Sequence, residues 1–310
     1  MLPRNLVYNL AKMDKRHLTH TKERQAAPLA PWEAPPPVKL TEQQFARLGR
    51  FIYDEVGIKM PPTKKTMVEA RLQKRVRLLN YPDLEAYLAY TFSPAGLQDE
   101  LFHLIDAITT NTTSFFREPQ HFEYLSSDLL PAWVARQSFS RTFKVWSAGC
   151  SLGMEPYTLA MVLSEFAERN AGFTFSILAT DISTRALKTA SQGIYDREQI
   201  KGISDELLTK YFMRSKDPAR NQVRVVPELR RQIQFKRLNF MDEFTLRPTH
   251  DVIFCRNVVI YFDRPTQQRH FSKLLGCLLP DGYLFIGHSE TLSGLTLPVK
   301  QIIPTVYKKA

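Results

Sequence analysis

The sequence predicts an α/β protein in which a Rossmann-like domain, carrying a small antiparallel β-subdomain insert, follows an all-α N-terminal domain. Two observations lead to this prediction. Residues 41–105 show only helical periodicity, whereas apolar strand-like runs alternate with helical runs from residue 141 onward. Such alternation is typical of a doubly wound, mostly parallel sheet. The chain of 310 residues suits two domains, and a hydrophobic fraction of 44% is sufficient for a buried core.

The second part of the chain supplies the strands and helices of the predicted sheet. Strands are expected at residues 143–146, 173–179, 251–255 and 283–286. Helices are expected at residues 156–167, 183–191 and 267–278. The series is interrupted between residues 211 and 237, where the runs 223–226 and 233–235 are interpreted as strands of the antiparallel insert. The domain that carries this insert is expected to span residues 106–310.

The N-terminal domain is predicted at residues 41–105. Thr41 precedes an amphipathic run and is expected to cap the first helix. A second helix follows a Pro-Pro pair, and its apolar stripe consists of Val68, Leu72, Val76 and Leu79. Three basic side chains are expected on the flank of that helix, namely Arg71, Lys74 and Arg77. Arg75 lies close to the stripe and must snorkel or find a partner.

The charge of the chain limits the classes of partner. Lys and Arg number 42 against 31 Asp and Glu, which gives a net charge of +11 and favours nucleic acid, an anionic membrane or an acidic protein. The three cysteines form no CxxC pair, which argues against a disulfide scaffold or a multi-cysteine zinc site. There is no apolar run of about 18 residues and no signal-peptide h-region, so a cytoplasmic location is the default expectation.

Residues 1–40 are rich in basic residues and proline. A disordered tail is predicted there, because the segment lacks a buried-core pattern and its prolines favour an extended chain. The alternative is a short basic helix over the first twenty residues that contacts a membrane or a partner.

Two acids mark the first candidate site. A turn of small residues at 147–153 follows the first strand and either brings backbone N–H groups close to a ligand or serves strand–helix packing. Glu155 follows this turn, where it complements the helix dipole or holds the ammonium group of a ligand. Asp181 ends the second strand, where an acid binds ribose hydroxyls in nucleotide-binding sheets or caps the next helix.

Two further polar stretches accompany these acids. In the first, the apolar strand 251–255 leads directly into Arg256 and Asn257, with Tyr261 four residues later. Polar residues at the carboxyl end of a central strand lie where such sheets carry out chemistry. In the second, residues 109–118 carry polar side chains that either bind a ligand or cap a helix at 115–125.

These segments together resemble the CheR-type chemotaxis receptor methyltransferases, a family of protein-glutamate O-methyltransferases. The resemblance covers about residues 41–310, and its combination of motifs is highly specific, although each motif alone is not. The matching stretches are ITTNTTSFFREPQHF (108–122), VWSAGCSLGMEPYTLA (145–160), ATDIS (179–183), LNF (238–240), DVIFCRNVVIYFD (251–263) and LLPDGYLFIGHSE (278–290).

The resemblance implies a cytoplasmic transferase of chemotaxis signal transduction. Members of the family transfer a methyl group from S-adenosyl-L-methionine to glutamate side chains of chemoreceptor cytoplasmic helices, which leaves S-adenosyl-L-homocysteine. The implied cofactor-binding residues are Asn111, Thr113, Arg117, Glu155, Asp181, Asn239, Phe240, Asn257 and Val258. Arg117 and Tyr261 are the implied catalytic pair that orients the substrate carboxylate, and no metal is implied. Met154 departs from the family, which usually has Glu there, and this puts cofactor affinity in question.

The basic surfaces are the expected substrate contacts. Arg71, Lys74 and Arg77 are expected to bind an acidic receptor helix. Arg220 and Arg224 either bind a receptor's C-terminal pentapeptide, which tethers some members of the family, or belong to a solvated basic hairpin that only covers the cofactor domain. A monomer that does not act on nucleic acid is expected.

Two alternatives to this function remain at this point. A nucleic-acid methyltransferase agrees with the charge, but no Asn/Asp-Pro-Pro-Tyr segment is present. A non-catalytic module that senses S-adenosylmethionine is disfavoured because Arg117 and Tyr261 are both present.

Overall fold

A computed structural model describes residues 39–137, 141–217, 219–244 and 249–310. The predicted tail lies outside these residues except for its last two. Leu40 is buried, and its N–H donates to Glu69 Oε1 over 2.8 Å, so the chain is already packed on the body at residue 40. None of the helices in these ranges has the length and apolar character that a bilayer crossing requires.

Five helices form the N-terminal part of the described chain: α1 (Glu42–Val56), α2 (Lys65–Leu78), α3 (Leu84–Thr91), α4 (Pro94–Asp99) and α5 (Leu101–Ile108). Thr41 caps α1 as predicted. Its side chain accepts from Gln44 N, and the Gln44 side chain accepts from Thr41 N, which satisfies two backbone donors that the helix leaves free. The predicted boundary at residue 105 falls inside α5, whose Ile108 belongs to the core of this bundle.

The apolar stripe of α2 is buried as predicted over its first three members, Val68, Leu72 and Val76. Leu79 lies beyond the helix end and is 38% exposed. Arg75 finds a partner: its guanidinium forms two hydrogen bonds with Glu100, which is buried and also accepts from Tyr87 Oη. The pairing satisfies a charge that would otherwise be costly to bury beside the stripe.

The remaining chain forms a doubly wound sheet. After α6 (Gln120–Tyr124), a π turn (Leu125–Leu129) and α7 (Leu130–Gln137), the elements are β1 (Phe143–Ala148), α8 (Met154–Arg169), β2 (Phe175–Asp181), α9 (Thr184–Gln192), β3 (Ile194–Asp196), α10 (Asp205–Tyr211), β4 (Phe212–Arg214), β5 (Gln222–Val225), α11 (Pro227–Arg231), β6 (Ile233–Arg237), β7 (His250–Cys255), α12 (Arg264–Cys277), β8 (Leu278–Ile286), β9 (Val299–Ile303) and β10 (Val306–Lys309).

Seven strands form the main sheet in the order β6-β2-β1-β7-β8-β10-β9. The first five are parallel, and the last two add antiparallel hairpin pairing at one edge. The central strand β7 is buried along its whole length, as expected for a strand covered on both faces. The carboxyl ends of β1, β2 and β7 therefore meet at one edge, which is where such sheets place their ligands.

The antiparallel insert exists, but one of its predicted strands belongs elsewhere. Strands β3, β5 and β4 form a separate three-stranded antiparallel sheet. Residues 233–235 instead belong to β6, which pairs in parallel with β2 and extends the main sheet. Ile233 is buried, and the Phe235 ring lies 6.0 Å from the Tyr157 ring. The β-propensity of this run was read correctly, but propensity alone does not identify the partner strand.

The helix predicted at residues 115–125 begins only at Gln120. Phe116 and Glu118 adopt positive φ angles of 50° and 57°, which a right-handed helix excludes. The segment before α6 is therefore an irregular loop that crosses the carboxyl edge of the sheet.

Candidate active site

One large cleft opens at the carboxyl edge of β1, β2 and β7 and encloses about 990 Å³ of empty space, part of it open to solvent. A volume of this order suits a ligand the size of a nucleoside cofactor. All the predicted cofactor-binding and catalytic residues line it: Asn111, Thr113, Arg117, Glu155, Asp181, Asn239, Phe240, Asn257, Val258 and Tyr261. The five predicted receptor-binding residues do not.

The turn after β1 is held close to the segment after β7. Gly149 N and Cys150 N both donate to Thr180 O, over 2.8 and 2.9 Å. Gly149 has a φ of +90°, and a Cβ atom at this position would lie 2.4 Å from Cγ2 of Val258. Only glycine readily adopts this positive φ angle and leaves room for the Val258 side chain. Gly149 therefore allows the two sides of the cleft to come into contact.

Glu155 is fixed by two partners at the start of α8. Its Oε1 accepts from Ser147 Oγ over 2.7 Å, and its Oε2 accepts from Arg256 Nη1 over 3.2 Å. Burial raises the pKa of the Glu155 carboxyl, and Arg256 and the Ser147 hydroxyl oppose this rise. A cation placed in the cleft would complete the neutralisation of this carboxylate.

Asp181 is fixed by backbone amides. Its two oxygens accept from Ser151 N over 2.7 Å and from Ser183 N over 2.9 Å. Burial raises the pKa of Asp181, and these amides counteract the rise. Ser183, not Asp181, caps α9. The carboxylate is therefore oriented at the cleft wall with lone pairs remaining for a ligand's hydroxyl groups.

The irregular loop before α6 closes one side of the cleft. Ser151 Oγ donates to Asn111 O over 3.0 Å, and Arg117 Nη1 donates to Thr112 O over 3.2 Å. Phe116 N donates to Thr158 Oγ1 over 3.2 Å. These bonds connect the loop to α8 and to the turn after β1.

Asn239 and Phe240 contribute the opposite wall. Asn239 Nδ2 donates to Glu55 O over 2.7 Å, which links the cleft to α1. Phe240 packs against the ring of His270 with a centroid distance of 4.5 Å. Phe240 and Ile182 both contribute apolar surface to the cleft.

Glu290 shapes the segment after β7. It is 7% exposed and accepts hydrogen bonds from the backbone of Gly287, Asn257 and Val259 over 2.7–2.9 Å. Asn257 adopts a φ of 58° within this arrangement. Sequence reasoning did not assign a role to Glu290, although an isolated acid just beyond a buried strand is the signal that could have drawn attention to it.

Arg256 is the second residue whose role was missed. Its side chain is 2% exposed and pairs with Glu118 over 3.0 Å and with Glu155 over 3.2 Å. It also donates to Arg117 O. The guanidinium therefore connects the Glu155 carboxylate to the loop that carries Arg117. The sequence drew attention to Arg256 but not to its partners, because these contacts span more than 100 residues.

Tyr261 lines the cleft beside one basic side chain. Lys64 Nζ lies 4.5 Å from the centre of its ring. Lys59 N donates to Tyr261 O over 3.0 Å through the backbone, whereas the Lys59 ammonium lies 3.9 Å from Asp263. Burial, together with the charge of Arg71, lowers the pKa of Lys64.

The predicted receptor-binding residues lie outside the cleft, and one of them differs from the expectation. Arg71 is not a free flank charge, because Nη1 donates to the carbonyl groups of residues 107–109 over 2.7–3.3 Å. It satisfies the carbonyls that the end of α5 leaves without partners. Lys74 and Arg77 are exposed, as are Arg220 and Arg224 on the small insert.

Models of known protein families match both the helical bundle and the part of the chain that forms the main sheet. A family model described as the CheR methyltransferase all-alpha domain matches residues 43–109. A model described as the CheR methyltransferase SAM-binding domain matches residues 111–307.

Individual relatives match over most of their length. The chain is 38% identical to the chemotaxis protein methyltransferase of Borreliella burgdorferi over 88% of this chain and 96% of that protein. It is 39% identical to the chemotaxis protein methyltransferase of Escherichia coli, over 83% and 87% of the two chains. Identity to chemotaxis protein methyltransferase 2 of Pseudomonas aeruginosa is 36%, over 87% and 94%.

Proposed function

The chain belongs to the CheR methyltransferase family and is an S-adenosylmethionine-dependent methyltransferase of chemotaxis, and we propose that its acceptors are glutamate side chains in the cytoplasmic helices of chemoreceptors. The product would be a glutamate methyl ester. The observation that supports this proposal is the assembly of ten residues, taken from five separate stretches of sequence, around one cleft beside basic groups.

The donor set of the cleft fits S-adenosylmethionine. Glu155 would hold the ammonium group of the methionyl part, and Asp181 would accept from the ribose hydroxyls. Asn239 and Phe240 would flank the adenine, with Asn257 and Val258 on the other side. When bound, the cofactor supplies a methyl group activated by its sulfonium. Met154, which replaces the acid usual in the family, is buried in the core and leaves both partners of Glu155 in place.

The reaction requires orientation of the acceptor carboxylate rather than proton transfer. A solvated glutamate has a pKa of about 4.3, so the acceptor is already ionised at neutral pH and needs no general base. Arg117 would bind one carboxylate oxygen, and the Tyr261 hydroxyl would help to orient the other. Excessively tight binding of the carboxylate would be counterproductive, because its charge diminishes in the transition state.

Basic side chains near the cleft support an acidic protein acceptor. Lys64 lies beside the Tyr261 ring, and Lys74 and Arg77 lie further along on α2. A receptor helix that approaches along α2 would meet positive charge before it reaches the cleft. Such charges accelerate association with an oppositely charged partner.

The small insert is the proposed docking site for a receptor's C-terminal pentapeptide. Among the described residues, β4 pairs on one side only, with β5, so a peptide backbone can add to its free edge. Arg220 and Arg224 are exposed nearby and would bind the carboxylates of the peptide. A tether of this kind raises the local concentration of the enzyme to the order of millimolar, which makes a micromolar affinity useful.

Product analysis tests the proposed acceptor. The protein is incubated with S-adenosylmethionine and a receptor cytoplasmic fragment, and the fragment is then analysed by peptide mass spectrometry. We expect methyl groups on glutamate side chains that mild alkali removes. A matched fragment with Gln at the modified positions should remain unmodified. Methylation of lysine, arginine or the backbone terminus would contradict the proposal.

A further inference from the structure

Three side chains lie close together next to the Arg256–Glu118 ion pair. Glu118 lies on the loop before α6, His121 on α6, and His288 on the loop after β8. One ligand atom from each lies within 4.8 Å of the other two, and this is the one such cluster found across the described ranges. His121 Nδ1 is 3.6 Å from Glu118 Oε2, and His288 Nε2 is 3.9 Å from the same oxygen.

One nitrogen of His121 is bonded outside the cluster, and the other faces it. His121 Nε2 lies 2.7 Å from Thr305 Oγ1, and the direction of this bond depends on the tautomer of the ring. In the tautomer whose Nε2 donates to Thr305 Oγ1, Nδ1 keeps a lone pair. This is the second-sphere arrangement that commonly orients a metal-binding histidine.

The Nδ1 lone pair has no hydrogen-bond partner. His121 is 1% exposed, and Nδ1 is buried without a donor in reach. The group it faces, Glu118 Oε2, is also an acceptor. Two acceptors that face each other require a cation or a water molecule between them.

The third side chain gives access from solvent. His288 is about half exposed, and its backbone N–H donates to Glu118 Oε1 over 3.2 Å. Its ring lies 5.2 Å from the His121 ring, at 81°. Ligand atoms around a tetrahedral zinc ion are about 3.4 Å apart. Only small movements, most of them in the exposed His288 side chain, would bring the three atoms to that spacing.

From this geometry we propose that Glu118, His121 and His288 form a Zn²⁺ site next to the cofactor cleft. Two imidazole nitrogens, one carboxylate oxygen and a water molecule make a ligand set that suits zinc better than magnesium or calcium, which prefer oxygen ligands alone. The local charge is favourable, because the two carboxylates Glu118 and Glu155 share the single cation Arg256.

Zinc at this site would act on the cleft through Arg256. Glu118 Oε2 is the atom that accepts from Arg256 and also the atom that would bind zinc. Zinc would weaken the Glu118–Arg256 pair and turn Arg256 toward Glu155, which is proposed to hold the cofactor's ammonium group. Zinc should therefore lower cofactor affinity. This coupling rests on the proposed function, whereas zinc binding itself does not.

Zinc titration of the untagged full-length protein, against a colorimetric zinc chelator and without cofactor or receptor, tests the site. Wild type should bind one equivalent, and His288→Ala should bind at least tenfold more weakly. His103→Ala removes an exposed histidine on α5 and should bind like wild type. The absence of binding at 100 µM zinc, a value chosen as about the limit for a specific site, would overturn the proposal, as would equal binding by His288→Ala.

X-ray absorption of the bound zinc identifies its ligands, and calorimetry tests the coupling. Two imidazole ligands are expected, and a spectrum with sulfur ligands would overturn the proposal. Zinc should lower the affinity of wild type for S-adenosylmethionine and leave that of His288→Ala unchanged. Equal cofactor affinity with and without bound zinc in wild type would overturn the coupling. Because zinc binding is measured without substrate, its failure would leave the methyltransferase proposal intact.

Discussion

Asp181 and Glu155 are both acids at the wall of one cleft, but their surroundings give them different chemistry. Asp181 is oriented by backbone amides, which remain in place whenever the fold is intact. Glu155 is oriented by Ser147 and the charged Arg256. The first arrangement suits neutral hydroxyl groups, and the second leaves a carboxylate only partly neutralised and ready for a cation. Residue type alone indicated two binding acids, whereas their partners support the division of roles that we propose.

Asp181→Ala should weaken S-adenosylmethionine binding. The change removes a charged acceptor whose hydrogen bonds to a ribose diol are worth about 1.5–3 kcal/mol, or roughly 10- to 150-fold in affinity. Calorimetry on the folded variant measures the loss, and Asp205→Asn, which alters an exposed acid on α10, serves as the control. Unchanged affinity in a variant with wild-type circular dichroism would refute the ribose assignment.

Tyr261→Phe and Arg117→Ala should lower turnover more than they lower cofactor affinity. Tyr261→Phe is the cleaner test, because the ring that packs under Lys64 is retained and only the hydroxyl is lost. Arg117 also donates to Thr112 O, so its loss disturbs the loop. We expect turnover to fall by about tenfold to a hundredfold. Initial rates and cofactor titrations separate the two effects, and wild-type turnover in either variant would remove that residue from the mechanism.

At the scale of the single element, the basic residues of helix α2 fall into two groups, those bonded within the protein and those exposed to solvent. Arg71 ties α2 to the end of α5 through three carbonyl groups, and Arg75 pairs with the buried Glu100. Lys74 and Arg77 remain exposed. Helical periodicity placed Arg75 beside the apolar stripe. It could not identify the partners of Arg71 and Arg75, because these lie 25 or more residues away.

The double variant Lys74→Glu with Arg77→Glu should slow receptor methylation at low salt and reduce its salt dependence. Exposed charges at the edge of an interface act mainly on the association rate. Lys300→Glu on β9, also exposed, is the matched control and should behave like wild type. Arg71→Glu, by contrast, should lower the melting temperature, because it leaves the half-buried carbonyls at the end of α5 without a donor. Equal rates at low salt would assign Lys74 and Arg77 to a solvated surface without a role.

The small insert allows a separate prediction about tethering. A receptor C-terminal pentapeptide that ends in an aromatic residue should bind with micromolar affinity. Arg220→Glu with Arg224→Glu should abolish this binding without changing cofactor affinity, since both residues lie outside the cleft. Fluorescence titration with a labelled peptide measures the effect. No binding by wild type up to millimolar peptide would place the chain among tether-independent enzymes.

At the scale of the whole molecule, the helical bundle completes the site rather than standing apart from it. Val56 and Ile58 line the cleft, and Tyr53 Oη donates to Asp263 Oδ2 over 2.6 Å. Asn239 reaches back to the end of α1. The domain boundary that we propose therefore lies after α5, but the two parts share one ligand-binding surface.

The sequence predicted a doubly wound, mostly parallel sheet, four of its strands and the polar residues at their carboxyl ends, because hydrophobic periodicity acts locally. It assigned residues 233–235 to the wrong sheet, because strand pairing depends on distant residues. It likewise gave no partners for Arg256 and no role for Glu290. These buried polar contacts form only when strands far apart in sequence meet, and no local pattern encodes them.

Methyl transfer to competing acceptors tests the central claim most directly. The full-length protein is incubated with S-adenosylmethionine labelled in its methyl group, together with receptor cytoplasmic fragment, tRNA and duplex DNA in one reaction. We predict label on the receptor fragment alone, released as methanol by mild alkali, and incorporated about tenfold to a hundredfold more slowly when Tyr261→Phe replaces wild type. Label on nucleic acid, or cofactor binding without transfer to any receptor fragment, would contradict the account.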